Sequence, residues 1–556
     1  MKKRFSFLLL IISISIAVSS CTLFSKETTG NVQNSSSTTN IVNNETPLKG
    51  GVIRLFSTYP DTLNPIITKN KYVQDILKNV FEGLVFLDYE QKPMGALAES
   101  WKVSSDGLIW TFNIRKNVKF QDDTNLTSED VEYTISTIMN SGVDTVYKMN
   151  VENIATIAAT DRYTIKIVLK TPYSFTPELM TFPIISKKAY SDGDFYTMSS
   201  TANKNPVGTG PYSFKAYYEK SEIILEENTG WWKSNVSSVN GLSVPFIKEL
   251  DVKLYKNGIN AIKAIQAKDI DVAFIYTDEC GKYFGRYDLT VNKYQNKNFE
   301  FVSLNVTNRA LSDPNVRQAI SYAINKSKII GSVLSGKAIQ ADYPIVSNSW
   351  LAGSNFVMTS NNASKAKSIL ANAGWSDNGS GVLHKYINGS YTTLNFELLV
   401  NSGNKIRLNV ANKIAAQLKT VGINVTVKSV DWDSENSLIR NKNYDMAILG
   451  WEISSIPDVS FAYSTKDIAT GLNVSGYSNA AVDELLNKIN LENDSSKKKT
   501  LYSDMFNIIN QEVPYIGLYF YNDAVLYSRR VSGILSPCTW NRFNDLPNWY
   551  LNVSTF

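Results

Sequence analysis

Two rhythms of apolar positions alternate along this chain, and together they predict an α/β protein. Period-two or wholly apolar runs mark strands. "GGVIRLFSTYPDTLNP" (50–65) reads as a strand closed by a proline-bounded turn, and "TIKIVLK" (164–170) alternates as a strand. "SSDGLIWTFNIRKNVKF" (104–120) alternates around a Ser-Asp-Gly turn, as a hairpin does. Helical spacing appears in "KYVQDILKNVFEGLVFLD" (71–88), which runs on into an apolar strand, and in "TSEDVEYTISTIM" from Thr127, where Thr127 and Asp130 form a capping-box pattern.

The second half alternates strands with longer helices. After the strand "FEFVSLNV" (299–306), Asp313 stands at an N-cap with Pro314 at N1, and Val316, Ala319, Ile320 and Ala323 share one helical face. Helices over "ASKAKSILANAGW" and "KIRLNVANKIAAQLKTVG" are stopped by Gly374 and Gly422, the second leading into "INVTVKSV". "YDMAILGW" (444–451) is an apolar strand, "NAAVDELLNKI" and "SKKKTLYSDMFNIINQEV" are helices, and "PYIGLYFYNDAVLY" returns to strand. No internal repeat is present. The pattern predicts two α/β lobes, the first with an extra β-rich insertion.

Length changes the picture in one respect: 556 residues exceed one ordinary core, so two or three domains are expected. The N-terminus changes it more. "MKKRFSFLLLIISISIAVSSC" has a basic start, an apolar stretch from Phe5 to Val18 and small residues before Cys21. That is an export signal, too short to span a membrane comfortably. Its ending "VSSC" is similar to a bacterial lipobox, which would make Cys21 the lipidated first residue of the mature chain. Residues 22–49, rich in Ser, Thr and Asn, read as a flexible tether. The net charge is +5, but Lys2, Lys3 and Arg4 supply three of those charges, and no basic run points to nucleic acid. Cys280 and Cys538, far apart, are read as separate buried thiols. The 30 Tyr and 10 Trp have apolar bodies with polar tips, which suit a ligand cleft.

Candidate chemistry is sparse. The single histidine, His384, lies in "GVLHKYINGS", which reads as a surface hairpin, with no G-x-S-x-G elbow to make a triad. Clustered His and Cys for a metal are missing from the sequence, so no metal or other cofactor is expected. "GSVLSGKA" (331–338) approaches a phosphate-binding loop but places Ala338 where Ser or Thr should bind magnesium. Binding is favoured over catalysis.

From about residue 50 to the C-terminus the chain resembles the bacterial extracellular solute-binding proteins of family 5, the peptide-binding receptors of ABC importers. The resemblance rests on "GGVIRLFSTYPDTLNP", "VFEGLVFLD", the block from "ALAESWKV" to "LTSEDV", "NPVGTGPYSF" (205–214), "DPNVRQAISYAINKSKIIGSVLSGKA" and "ASKAKSILANAGW", in family order. It implies a two-lobed periplasmic-binding-protein-like fold of the class II, cluster C type, with an extra β-rich subdomain in the first lobe. The expected division is a signal over 1–20, a lipid-anchored tether over 21–49, and a first lobe of 50–72, 206–300 and 513–556. An inserted subdomain over 73–205 and a second lobe over 301–512 complete it. Crossing strands are expected near 301–306 and 513–519, with hinge closure over the ligand.

The resemblance also implies a site in "LGWEISSIPDVSF" (449–461). Gly450-Trp451 ends a second-lobe strand and enters the ligand loop, where the indole would line the cleft. A buried peptide ammonium needs an acid in reach. Ser454 stands where many peptide binders of the family carry aspartate, which leaves Asp458, with Glu452 a weaker candidate. Thr68 and Tyr72 are expected on the first-lobe wall. The implied partners are a peptide ligand, a membrane permease with its ATPase subunits, and the membrane through a lipid anchor, for a monomer on the extracytoplasmic face. The alternatives are a non-peptide solute on the same scaffold (an oligosaccharide or a metal chelate) and, more remotely, a secreted hydrolase.

Overall fold

A computed structural model of the protein describes residues 47–191, 201–234, 243–276, 281–352, 360–533 and 536–552. The export signal, Cys21, most of the tether and Cys280 lie outside the described residues. Among the described residues no helix is long and apolar enough to cross a membrane.

The first sheet runs in the order Val52–Thr58, Glu249–Tyr255, Glu222–Glu227, Tyr212–Tyr218, with the opening strand parallel to its neighbour. Beside it lies an antiparallel sheet of Ala98–Val103, Ile109–Ile114, Thr164–Leu169 and Ile154–Asp161. The helix Ser128–Met139 packs on this sheet and starts at the Thr127–Asp130 capping box. One continuous apolar core joins both sheets, from Ile53 and Leu55 through Phe112, Ile135 and Ile167 to Trp549. The glycines of "NPVGTGPYSF" explain part of that junction. A Cβ on Gly210 would lie 2.6 Å from the Asn79 carbonyl oxygen, so only glycine lets the two segments touch.

The second sheet follows the order Val272–Tyr276, Tyr515–Ser528, Leu289–Leu304, Met446–Glu452, Asn395–Asn401, Asn424–Val430, with Ala338–Gln340 also on Tyr515–Ser528. Asn395–Asn401 is parallel to both neighbours. Helices Pro314–Ala323 and Lys405–Lys419 bury one face with Leu398, Met446, Ile448 and Leu518. Helices Ala480–Leu491 and Ser495–Glu512 bury the other with Phe301, Ala447 and Phe520. The helix ends anticipated at Gly374 and Gly422 are realised in positive-φ backbone, at φ +84° and +82°.

Two long antiparallel strands, Leu289–Leu304 and Tyr515–Ser528, connect the lobes. Leu289, Ala524 and Leu526 pack in a first-lobe core, whereas Val302, Leu304, Ile516 and Leu518 pack in the second. Their register breaks between Gln295 and Phe299, where the first strand bulges. This break falls just before the 301–306 window and, on the partner strand, just after 513–519.

Candidate ligand site between the lobes

The strand Met446–Glu452 ends at the break between the lobes, pairing Trp451 with Phe299 and Glu452 with Asn298. Gly450 is glycine for a local reason. An added Cβ would lie 2.5 Å from Glu300 Oε1 and closer still to Arg407 Nη2. These two residues form a bidentate pair, with Nε–Oε2 and Nη2–Oε1 both 2.8 Å, and Glu300 is only 4% exposed. Burial raises the Glu300 pKa against the pull of the guanidinium.

Trp451 is part-buried in an aromatic stack. Its ring centre lies 3.9 Å from that of Phe301, and it meets Phe461 and Tyr515 edge-on at 5.0 and 5.2 Å. Glu452 reaches across to the first lobe, 3.5 Å from Lys71 Nζ at the start of the helix Lys71–Leu77. Both side chains are largely exposed, so the pair adds little stability. The contact places the Gly-Trp strand end beside that helix. Tyr72 follows Lys71 and packs edge-on against Phe56 at 5.5 Å. Thr68 is fully buried and donates its hydroxyl to Asp61 at 2.5 Å, so it shapes the loop from inside.

The loop after Trp451 lies in a seam between the lobes. Ser454 Oγ accepts from the Ile456 amide, and Gln91 donates to the Ser455 carbonyl at 2.8 Å. Both carboxylate oxygens of Asp458 are engaged, one by the Ser460 amide (2.8 Å) and the other by the Tyr173 hydroxyl (3.0 Å). Tyr502 donates to the Pro457 carbonyl at 2.5 Å. Next to Tyr173, the Ser174 amide and hydroxyl bond to the Asn490 and Ile489 carbonyls. Two buried charges lie behind this seam. Lys498 Nζ sits 4.0 Å over the Phe175 ring, and Glu178 is in electrostatic reach of it. Burial pushes the Glu178 carboxyl up to about 7 and the Lys498 ammonium down to about 8.

Beneath Trp451, the bulge 295–299 is tied to several neighbours. Ile453 donates to the Lys297 carbonyl at 2.9 Å, Asn296 donates to Asp523 at 3.0 Å, and Thr539 donates to the Gln295 carbonyl at 2.9 Å. Arg542 lies over the rings of Tyr72 and Phe274, 3.7 Å from Asp75 and 3.8 Å from Asp523. Cys538, nearby, is buried and free.

The structure therefore places Gly450 and Trp451 at the end of one strand, Ser454 and Asp458 in the loop that follows it, and Tyr72 next to Lys71, which reaches Glu452. Sequence reading passed over Tyr173, Lys297, Glu300, Arg407 and Arg542. One signal was available: Glu300 interrupts an apolar strand between Phe299 and Phe301, and a buried acid there requires a cation from elsewhere.

Residues 92–470, more than half the chain, match the family described as bacterial extracellular solute-binding proteins, family 5 Middle. The oligopeptide-binding protein AppA of Bacillus subtilis is 26% identical over 516 residues, which is 88% of this chain and 89% of the relative. The solved structure of AppA with a nonapeptide is matched with a TM-score of 0.59 at 25% identity, over 91% of this chain and all of the other. The unliganded open form of the periplasmic murein tripeptide binding protein MppA gives a TM-score of 0.76 at 19% identity, over 92% and 98% of the two chains. With that family model matching more than half of its length, the chain belongs to the bacterial extracellular solute-binding proteins of family 5.

Proposed function

We propose that the protein is the peptide-capturing component of an ABC importer, holding an oligopeptide between its two lobes and delivering it to a membrane permease and its ATPase subunits. The observation that carries this reading is the near full-length match to a protein named for oligopeptide binding, on a scaffold whose Gly-Trp strand end lies at the junction of the lobes. Two long strands with a register break between separate cores suit a hinge, and hinged lobes suit a ligand enclosed on closure. Main-chain pairing to the ligand backbone would give broad sequence tolerance.

Gly450, Trp451 and Ser454 form the second-lobe wall in this reading, and Tyr72 the first-lobe wall, with Thr68 supporting it from behind. Asp458, held by Tyr173 and Ser460, acts in the seam that the lobes share. Cys21 carries the lipid that anchors a monomer to the outer face of the membrane.

Native mass spectrometry of the purified protein should reveal co-purified peptide, and calorimetry should show binding from a peptide pool. Recovery of only sugar or metal chelate, with no peptide affinity, would overturn the reading.

A further inference from the structure

At the hinge the charges do not balance. Lys71 pairs with Glu452 at 3.5 Å, Lys78 with Asp75 at 3.1 Å, and Arg542 lies between Asp75 and Asp523 at 3.7 and 3.8 Å. Four cations, counting Lys297, face three acids. Lys297 is the one left over: among the described residues its ammonium has no carboxylate within ion-pairing distance and no hydrogen-bond acceptor.

Its position is as telling as its lack of a partner. Lys297 is part-buried in the bulge of a crossing strand, one residue before Asn298, which pairs with Glu452. Its carbonyl is fixed by the Ile453 amide, so its backbone is held beside the Trp451–Glu452 strand end. Charges from both lobes act on it: Lys71, Lys78 and Asp75 from the first, Glu452 from the second. A part-buried ammonium without a counter-charge is costly, and burial followed by repulsion from Lys78 lowers its pKa. Bulges are over-represented beside functional sites, where the extra residue re-aims a side chain.

We propose that Lys297 is the carboxylate-binding residue of the cleft, with Lys78 and Lys71 reinforcing the positive field around it. The ligand it fits is an anion of carboxylate type, supplied by the C-terminus of a peptide or by an acidic side chain. This rests on the peptide reading above. A carboxylate arriving from the ligand supplies the missing charge at a point where both lobes contribute to the field, so ligand binding favours their approach.

The test uses a random pentapeptide library in three forms: free acid, C-terminal amide, and free acid made without Asp or Glu. Binding to the purified chain is compared with binding to Lys297→Met and Lys297→Arg. The wild type should bind the free acid on the order of tenfold tighter than one of the other two forms. Loss on amidation assigns the C-terminus, and loss on omission of Asp and Glu assigns a side chain. Lys297→Met should abolish the discrimination while leaving the melting temperature the same or higher, and Lys297→Arg should retain it. Equal binding of all three forms by the wild type, or discrimination that persists in Lys297→Met, overturns the subsite while the peptide reading stands. If no form binds the wild type, the peptide reading fails and the subsite falls with it.

Discussion

Gly450→Ala tests whether the glycine of the Gly-Trp pair is there for the ligand or for the charge pair beneath it. The new methyl carbon would lie 2.5 Å from Glu300 Oε1, where ordinary contact needs about 3.5 Å or more. One or both partners must retreat by about 1 Å. The two 2.8 Å bonds between Glu300 and Arg407 would then stretch beyond the hydrogen-bonding range of about 3.2 Å. Breaking a buried ion pair costs about 3–5 kcal/mol, while a strand shift that absorbs the methyl costs about 1–3 kcal/mol. The expected destabilisation therefore lies between about 1 and 5 kcal/mol. Urea unfolding followed by tryptophan fluorescence reads it, with the second-lobe transition resolved because a protein with several cores need not unfold in one step. The decisive comparison is a double-mutant cycle in a Glu300→Leu/Arg407→Met background, where the space is already apolar and Gly450→Ala should cost under about 1 kcal/mol. Equal costs in both backgrounds, or no cost in the wild type, would refute the steric account.

Three further outcomes are expected. Glu178 binds its proton more tightly folded than unfolded, so its contribution to stability is full below about pH 4.5 and is lost as pH rises to about 7. Lys498 behaves in the opposite sense: its contribution is full above about pH 10.5 and is lost as pH falls to about 8. Urea midpoints of Glu178→Gln should therefore fall less than the wild type's between pH 5 and 7, and parallel curves would sink the assignment. Tyr173→Phe removes the bond to Asp458 across the seam and should cost about 1–3 kcal/mol, read by thermal melting. An unchanged melting temperature would mean that the bond does not form in solution. Gly210→Ala forces a methyl against the Asn79 carbonyl, so the variant should accumulate as insoluble protein on expression, and a soluble yield like the wild type's would contradict that packing.

Much of the fold was legible in the sequence because its signals are local. The Thr127–Asp130 capping box, Asp313 with Pro314 at a helix start, and the hairpin around Ser104–Gly107 are each set by neighbours a few residues apart. The Gly-Trp strand end was legible too, since an apolar run breaking into a polar loop marks a strand terminus. Its setting was not. Trp451 gives one ring face to Phe301, 150 residues away in sequence by count of their numbers, and Asp458 is bound by Tyr173 from the other lobe. Nothing in the local pattern encodes those partners.

The sequence by itself determined the α/β alternation, the helix ends and the loop that carries Trp451, because propensity, capping and periodicity act over one or two turns. Only the tertiary structure decided why residue 450 is glycine, that Asp458 serves the seam, and that Lys297 is left without an acid. Each depends on charges and surfaces brought together from distant segments, and a Coulomb or steric energy depends on distance in space rather than distance along the chain.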